Sequence, residues 1–262
     1  MLELNKIYNE DCIGNEEQGT GMWRIPDKSI DMILCDLPYG ELECSWDSVL
    51  PLDKLWNHYE RIIKDNGAIV LTATFKFAIK LYNSNPDLFK YELIWDKVKP
   101  SNIFVGKLRP LPKHEYIMIF SKGTVANKSK NNMVYYPIME EQKERKSKIY
   151  SQSDAMFRES HIGYEGVRKE KYPKSILTFS NAKQKGKLHP TQKPIELFEY
   201  LIRTYTKEGD IVLDNCIGSG TTAIACINTN RNYIGFEIDK GYYDIAMKRI
   251  EEHNKNIKTH NN

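Results

Sequence analysis

Asp36-Leu37-Pro38-Tyr39 places a carboxylate, a backbone carbonyl, a proline turn and an aromatic ring in immediate succession. Those four groups could hold an extruded nucleobase and aim its amino group. The run before them, Asp31 to Cys35, reads as a short apolar strand that delivers Asp36 to a sheet edge. The same tetrapeptide also suits a plain strand-to-turn junction, because proline sets turns and tyrosine packs beside them. A second stretch, Asp214 to Glu237, asks for partner chemistry and adds weight to the first reading.

Val212 to Thr222 reads as a strand, a glycine turn and a helix start. Gly218 and Gly220 would let backbone approach a ligand closely. The helix N-terminus beyond them, at Thr221, would offer free N–H groups to a small anion. Glu237 ends the next strand, 19 residues after Gly218, where a carboxylate can accept both hydroxyls of a ribose. The third glycine of the dinucleotide fingerprint is missing and no Walker lysine follows. A ribose-bearing ligand with a small anionic end fits better, and S-adenosyl-L-methionine is such a ligand. Asp214 and Glu237 could also act as caps at strand ends.

The elements that must position these residues follow from length and pattern. The 262 residues suffice for one substantial α/β core with a smaller appended region. A hydrophobic content of 40% and a charged content of 28% are those of a soluble globular chain. The N-terminal dozen residues carry Glu3, Lys6, Glu10 and Asp11 in place of an apolar signal core. No apolar run approaches the roughly 20 residues that span a bilayer, so a cytoplasmic location with no membrane partner is expected. Five cysteines without a C-x-x-C spacing argue against a disulfide framework and a zinc site, so no metal is expected. Cys35 and Cys216 flank the proposed sites but read as small buried hydrophobes.

Charge is unevenly spread. Lys122 to Lys187 holds 15 basic and 7 acidic residues, a net of +8, and the overall +3 leaves −5 for the remainder. A basic middle on an acidic body suggests a polyanion partner on one face. Helical spacing is read over Pro51 to Asn66, with Gly67 as a stop, then a strand over Ala68 to Thr72 and a helix over Phe75 to Tyr82. Tyr91 to Trp95 and Tyr116 to Phe120 read as strands. Residues 123–187 lose the rhythm and read as an irregular insertion anchored by aromatics such as Tyr135 and Tyr136. Beyond Pro194, taken as a first helical position, come a helix, strand Ile211–Asp214, helix Thr221–Asn228, strand Tyr233–Glu237 and a last helix from about Gly241. Strands separated by helices predict a mostly parallel sheet with helices on both faces.

Four separated pieces make the chain resemble an amino-methyltransferase of the DNA adenine-N6/cytosine-N4 type. They are Asp36 to Tyr39, His189 to Pro194, Asp214 to Thr222 and Gly235-Phe236-Glu237. The tetrapeptide precedes the cofactor motif, which is the permuted order of the family's β group. Ile7 to Cys12 and Trp95-Asp96-Lys97 extend the likeness to nearly the whole chain outside the basic middle. Leu37 stands where the family usually has proline, and Asn215-Cys216 where it commonly has Pro-Phe.

The resemblance implies a Rossmann-like, circularly permuted S-adenosylmethionine-dependent methyltransferase domain over 1–122 and 186–262, with a target-recognition region over 123–185. It gives Asp36, Leu37, Pro38 and Tyr39 to the reacting base. It gives Asp11, Asp36, Thr191, Lys193, Asp214, Gly218, Ser219, Gly220, Thr221 and Glu237 to the cofactor. Leu37 would act through its carbonyl, and Tyr39 by stacking. Tyr243, Ala246 and Arg249 read as packing and surface residues. The implied partner is double-stranded DNA, with a cognate restriction endonuclease and a homodimer both in keeping with the family. Asp at the first and Tyr at the last motif position favour adenine over cytosine-N4. A silent DNA-binding protein of the same fold is the reading from a different class.

Overall fold

The computed structural model describes residues 2–40, 49–101, 103–146, 167–181 and 192–260. The chain divides into a larger unit, Met1–Tyr136 with Ser175–Asn262, and a smaller one, Pro137–Lys174. In order come β1 (Lys6–Tyr8), β2 (Ile30–Cys35), α1 (Leu52–Ile62), β3 (Ile63–Ala73), α2 (Phe75–Ser84), β4 (Phe89–Asp96) and β5 (His114–Phe120). The smaller unit supplies β6 (Glu140–Lys146) and β7 (Val167–Lys171). The chain closes with β8 (Ile176–Thr178), α3 (Ile195–Tyr205), β9 (Ile211–Asp214), α4 (Thr221–Asn228), β10 (Asn232–Phe236) and α5 (Lys240–His260).

Eight strands form one sheet in the order β1-β10-β9-β2-β3-β5-β4-β8. Every neighbouring pair is parallel except those of β5, which runs against both β3 and β4. Successive strand residues point to opposite faces, and the apolar strands feed two cores accordingly. Ile33 and Cys35 of β2 pack with Leu55, Tyr59 and Phe77 of α1 and α2. Met32 and Leu34 pack on the other face with Leu201 and Ile224 of α3 and α4. The mostly parallel sheet with helices on both faces is therefore present. Its order reverses between β9 and β2, where Asp31 Oδ2 accepts the Ile211 N–H at 3.0 Å.

Two readings need correction. The helix expected to run to Asn66 ends at Ile62, and Gly67 lies inside an eleven-residue strand. A Cβ on Gly67 would come within 2.7 Å of the Asp31 carbonyl oxygen, so this glycine permits close strand approach and is not a helix stop. The basic middle is also more regular than expected. β6 and β7 form an antiparallel pair in which Glu140 faces Lys171, with their side chains 3.0 Å apart. Residues just before and after that unit belong to the larger one. Met133 is buried there, Tyr136 N donates to Thr204 O, and β8 extends the sheet beside β4. Among the described residues no helix is long and apolar enough to cross a membrane.

Candidate active site

Parallel strands bring their carboxyl ends to one edge, the usual position for ligands near a reversal of strand order. Cys35 pairs with Leu71, so Asp36 stands beside Thr72 of β3. Because β5 is antiparallel, its first residues reach the same edge and bring Glu115 there. Lys193 arrives from just before Pro194, the N-cap of α3.

These side chains form one buried polar group. Lys193 Nζ lies 2.7 Å from each oxygen of Asp36, 3.4 Å from Glu115 and 3.3 Å from the Tyr39 hydroxyl. Lys97 closes the group at 3.1 Å from Glu115. The Tyr39 hydroxyl donates to Asp36 Oδ1 at 2.7 Å, and the Thr72 hydroxyl donates to the same oxygen. Among the described residues Oδ1 thus meets three donors and Oδ2 only the lysine, which leaves Oδ2 the better placed to accept another hydrogen.

Burial works against the Lys193 charge, but Asp36, Tyr39 and Glu115 outweigh it and hold the ammonium well above its ordinary range. Burial pushes Glu115 up, yet Lys193 and Lys97 bring it below the usual glutamate value. Burial, then Asp36, pushes the Tyr39 phenol well up, so it stays a donor. The Tyr39 ring lies 5.1 Å from that of Phe77. Leu37 is buried in the α1/α2 core, so packing steadies the turn that proline would otherwise stiffen.

At the glycine turn, Asp214 Oδ1 accepts the Cys216 N–H at 3.1 Å and Oδ2 accepts the Thr222 hydroxyl. Glu237 receives Gly218 N at 2.8 Å and Asp239 N at 2.9 Å, one on each carboxylate oxygen. Gly218 and Gly220 have φ of +53° and +80°, and Gly220 caps α4. Among the described residues, a Cβ on Gly218 would meet nothing within 4 Å. Asp11 is exposed and accepts the Ile13 N–H at 3.0 Å. Thr191 and His189 lie outside the described residues.

Gln192 and Lys193 link the two halves. Ser219 Oγ donates to Gln192 Oε1 at 3.4 Å, while the next residue holds Asp36. Thr72, Glu115 and Arg249 were missed by sequence reasoning. Arg249, read as a surface residue, donates to Ser219 O, Ser219 Oγ and Thr221 Oγ1 at 2.9 to 3.1 Å and so braces the glycine turn. A lone threonine in the apolar run of β3 was the visible signal for Thr72; Glu115 and Arg249 gave none. Asn215, in place of the family's proline, is buried and accepts the Tyr59 hydroxyl at 2.5 Å. Burial pushes the Cys35 thiol up to about 12, which removes it as a nucleophile near neutral pH.

Burial raises the Asp214 carboxyl to about 7. A carboxyl raised on folding binds its proton more tightly in the native state. Its stabilisation is full below the unfolded value near 4 and is lost as pH rises through about 7. The Asp214→Asn variant is therefore expected to flatten the fall in stability between those limits. Urea titrations at closely spaced pH values check this; parallel wild-type and variant profiles would refute it.

Residues 30–248 match the family model described as DNA methylase. The chain is 30% identical over 275 residues to the Type II methyltransferase M.HinfI of Haemophilus influenzae, covering 95% of this chain and 69% of that one. The M1.HpyAVI–SAM complex is similar in structure, with a TM-score of 0.58, 24% identity and coverage of 93% and 98%. PvuII DNA methyltransferase, cytosine-N4-specific, gives a TM-score of 0.63 at 17% identity, covering 92% and 84%. The two structures speak for the fold; with the family match spanning most of its length, the chain belongs to the DNA methylase family.

Proposed function

We propose that this chain is a site-specific DNA methyltransferase that modifies the N6 amino group of adenine in double-stranded DNA. The observation that carries the reading is Asp36, fixed at the end of β2 by Lys193, Tyr39 and Thr72 with Oδ2 left the less occupied oxygen. The methyl donor is S-adenosyl-L-methionine, which supplies an electrophilic methyl group when bound. The residues present fit it. Among the described residues nothing crowds Gly218, the α4 N-terminus offers N–H groups, and each Glu237 oxygen keeps acceptor capacity for a ribose hydroxyl. Asp214, Ser219, Gly220 and Thr221 shape that turn, and Arg249 braces it.

An exocyclic amine on a nucleobase is a weak nucleophile because its lone pair is delocalised into the ring. Hydrogen bonds from the amine to Asp36 Oδ2 and to the Leu37 carbonyl favour a pyramidal nitrogen with its lone pair aimed away from both acceptors. Lys193 holds both oxygens of the carboxylate in place, a positioning role beside the cofactor contact that the family resemblance implies. Tyr39 takes the base plane and Pro38 shapes the turn. The base must leave the duplex first, at about a few kcal/mol, and the rate then depends on holding the reacting atoms roughly 3–3.5 Å apart. Residues 123–185 serve target recognition, their lysines and arginines meeting phosphates, which position without specifying. A cognate endonuclease acting on the same sequence is the natural counterpart, because M.HinfI is a Type II methyltransferase.

Asp36 and Tyr39, at the motif's two ends, favour adenine. Unmethylated DNA incubated with methyl-labelled S-adenosylmethionine and digested to nucleosides should yield label in N6-methyladenine. Label in N4-methylcytosine would overturn the choice of base. Absence of label, with DNA still bound, would leave a silent DNA-binding protein.

A further inference from the structure

The loop between β4 and β5 has a construction that catalysis at Asp36 does not explain. Residues 97–113 carry Lys97, Lys99, Lys107, Arg109 and Lys113 and no acidic residue. Its root is laced shut: Lys97 N donates to Lys113 O at 2.9 Å, Ser101 N to Pro112 O at 3.0 Å, and Lys113 Nζ pairs with Asp96 at 3.1 Å. Beyond the root, Ile103–Lys107 makes a 3-10 turn, closed by Leu108 and Arg109 N–H groups on Val105 O. On this turn Phe104 and Leu108 are 89% and 86% exposed, the most exposed large hydrophobic side chains among the described residues.

Exposed apolar side chains in a loop that also exposes Lys99, Lys107 and Arg109 call for a partner that is anionic outside and apolar within. The same loop is tied to the base-binding side. Lys97 pairs with Glu115, Glu115 with Lys193, and Lys193 with Asp36. From these observations, and resting on the function proposed above, we propose that this loop is a DNA wedge. Lys99, Lys107 and Arg109, all exposed, meet phosphates, while Phe104 and Leu108 enter the base stack and fill the space vacated by the extruded nucleotide. A duplex offers apolar contact at such unstacked steps, where inserted side chains offset part of the cost of opening. Pro100, Pro110 and Pro112 limit the freedom lost when the tip docks.

The test compares wild type with Phe104→Ser/Leu108→Ser, whose exposed positions leave thermal stability unchanged. The substrates are duplexes containing a site mapped by sequencing DNA that the wild-type chain has methylated. In one the target faces its normal partner; in the other it faces an abasic position, which makes extrusion easy. The variant is expected to lose about ten- to a hundredfold in kcat/KM on the paired duplex, in line with base–aromatic stacking. It should recover most of that loss on the abasic one. With 2-aminopurine at the target, the fluorescence rise on binding should weaken in the variant. Equal losses on both duplexes, or none, would overturn the wedge while leaving the methyltransferase reading intact. A change in sedimentation behaviour would overturn it in favour of a second copy of the chain as the occupant. A wild-type chain that methylates no DNA would remove both readings.

Discussion

Replacing Asp36 by alanine is expected to lower the single-turnover rate of methyl transfer by about a thousandfold or more while S-adenosylmethionine affinity stays within about tenfold. The size follows from what the carboxylate does in the transition state. As the amine nitrogen attacks, positive charge develops on it, and a fixed anion at hydrogen-bond distance stabilises that charge without reorganising. Loss of one such preorganised group costs about a hundred- to a thousandfold, and loosened alignment of the amine adds to it. Cofactor affinity survives because the glycine turn has its own supports in Glu237 and Arg249. Asp36→Asn is the companion variant, since its shape still meets Tyr39 and Thr72. Quenched-flow transfer and calorimetric cofactor binding decide the matter; turnover like wild type in either variant would sink the assignment.

Lys193→Met should have the second largest effect, and on stability first. The ammonium is 5% exposed and sits between two carboxylates that are themselves only 21% and 18% exposed. Removing it strands Asp36 against Tyr39 and Thr72. Glu115 keeps Lys97, so the loss falls mainly on one carboxylate. Breaking a buried pair from one side costs about 3–5 kcal/mol, and the surviving partner places this case toward about 3. For a chain of this size the melting temperature should then fall by roughly 6–12 °C. Denaturant titration of the variant checks the value, and a loss under about 1 kcal/mol would show that the lysine is not needed to hold the carboxylates. Methyl transfer should fall as well, because Asp36 loses the group that fixes both its oxygens.

The strand, glycine turn and helix around Gly218 were legible almost residue by residue, since β9, the turn and α4 follow one another and announce themselves by local pattern. The polar group around Asp36 was legible only as its tetrapeptide. Thr72 and Glu115 reach Asp36 because β3 lies next to β2 and β5 runs backwards, and neither fact is written in the sequence around those residues. The boundary between α1 and β3 was misplaced because apolar residues such as Ile62 and Ile63 suit either period, and Gly67 resembles a helix stop until the Asp31 carbonyl is seen beside it. β6 and β7 escaped for another reason. Their register is marked by facing charges, and a strand without a buried face has no apolar alternation to read. Gln192 could be placed near the glycine turn only once the fold had brought Ser219 to it.

The junction of β2 with β9 joins segments about 180 residues apart, through Met32 with Val212 and Ile33 with Leu213. On the ribosome, β2 emerges long before its neighbour exists, and for most of translation it has only β3 to pair with. Asp36 likewise waits for Lys193, and the glycine turn for Glu237. Contacts this distant in sequence close late, after the loop-closure entropy has been overcome. The nascent protein therefore carries the Asp36 carboxylate for most of its synthesis without the lysine that fixes it in the fold. These contacts of Asp36 and of the glycine turn are complete only once Glu237 has been made.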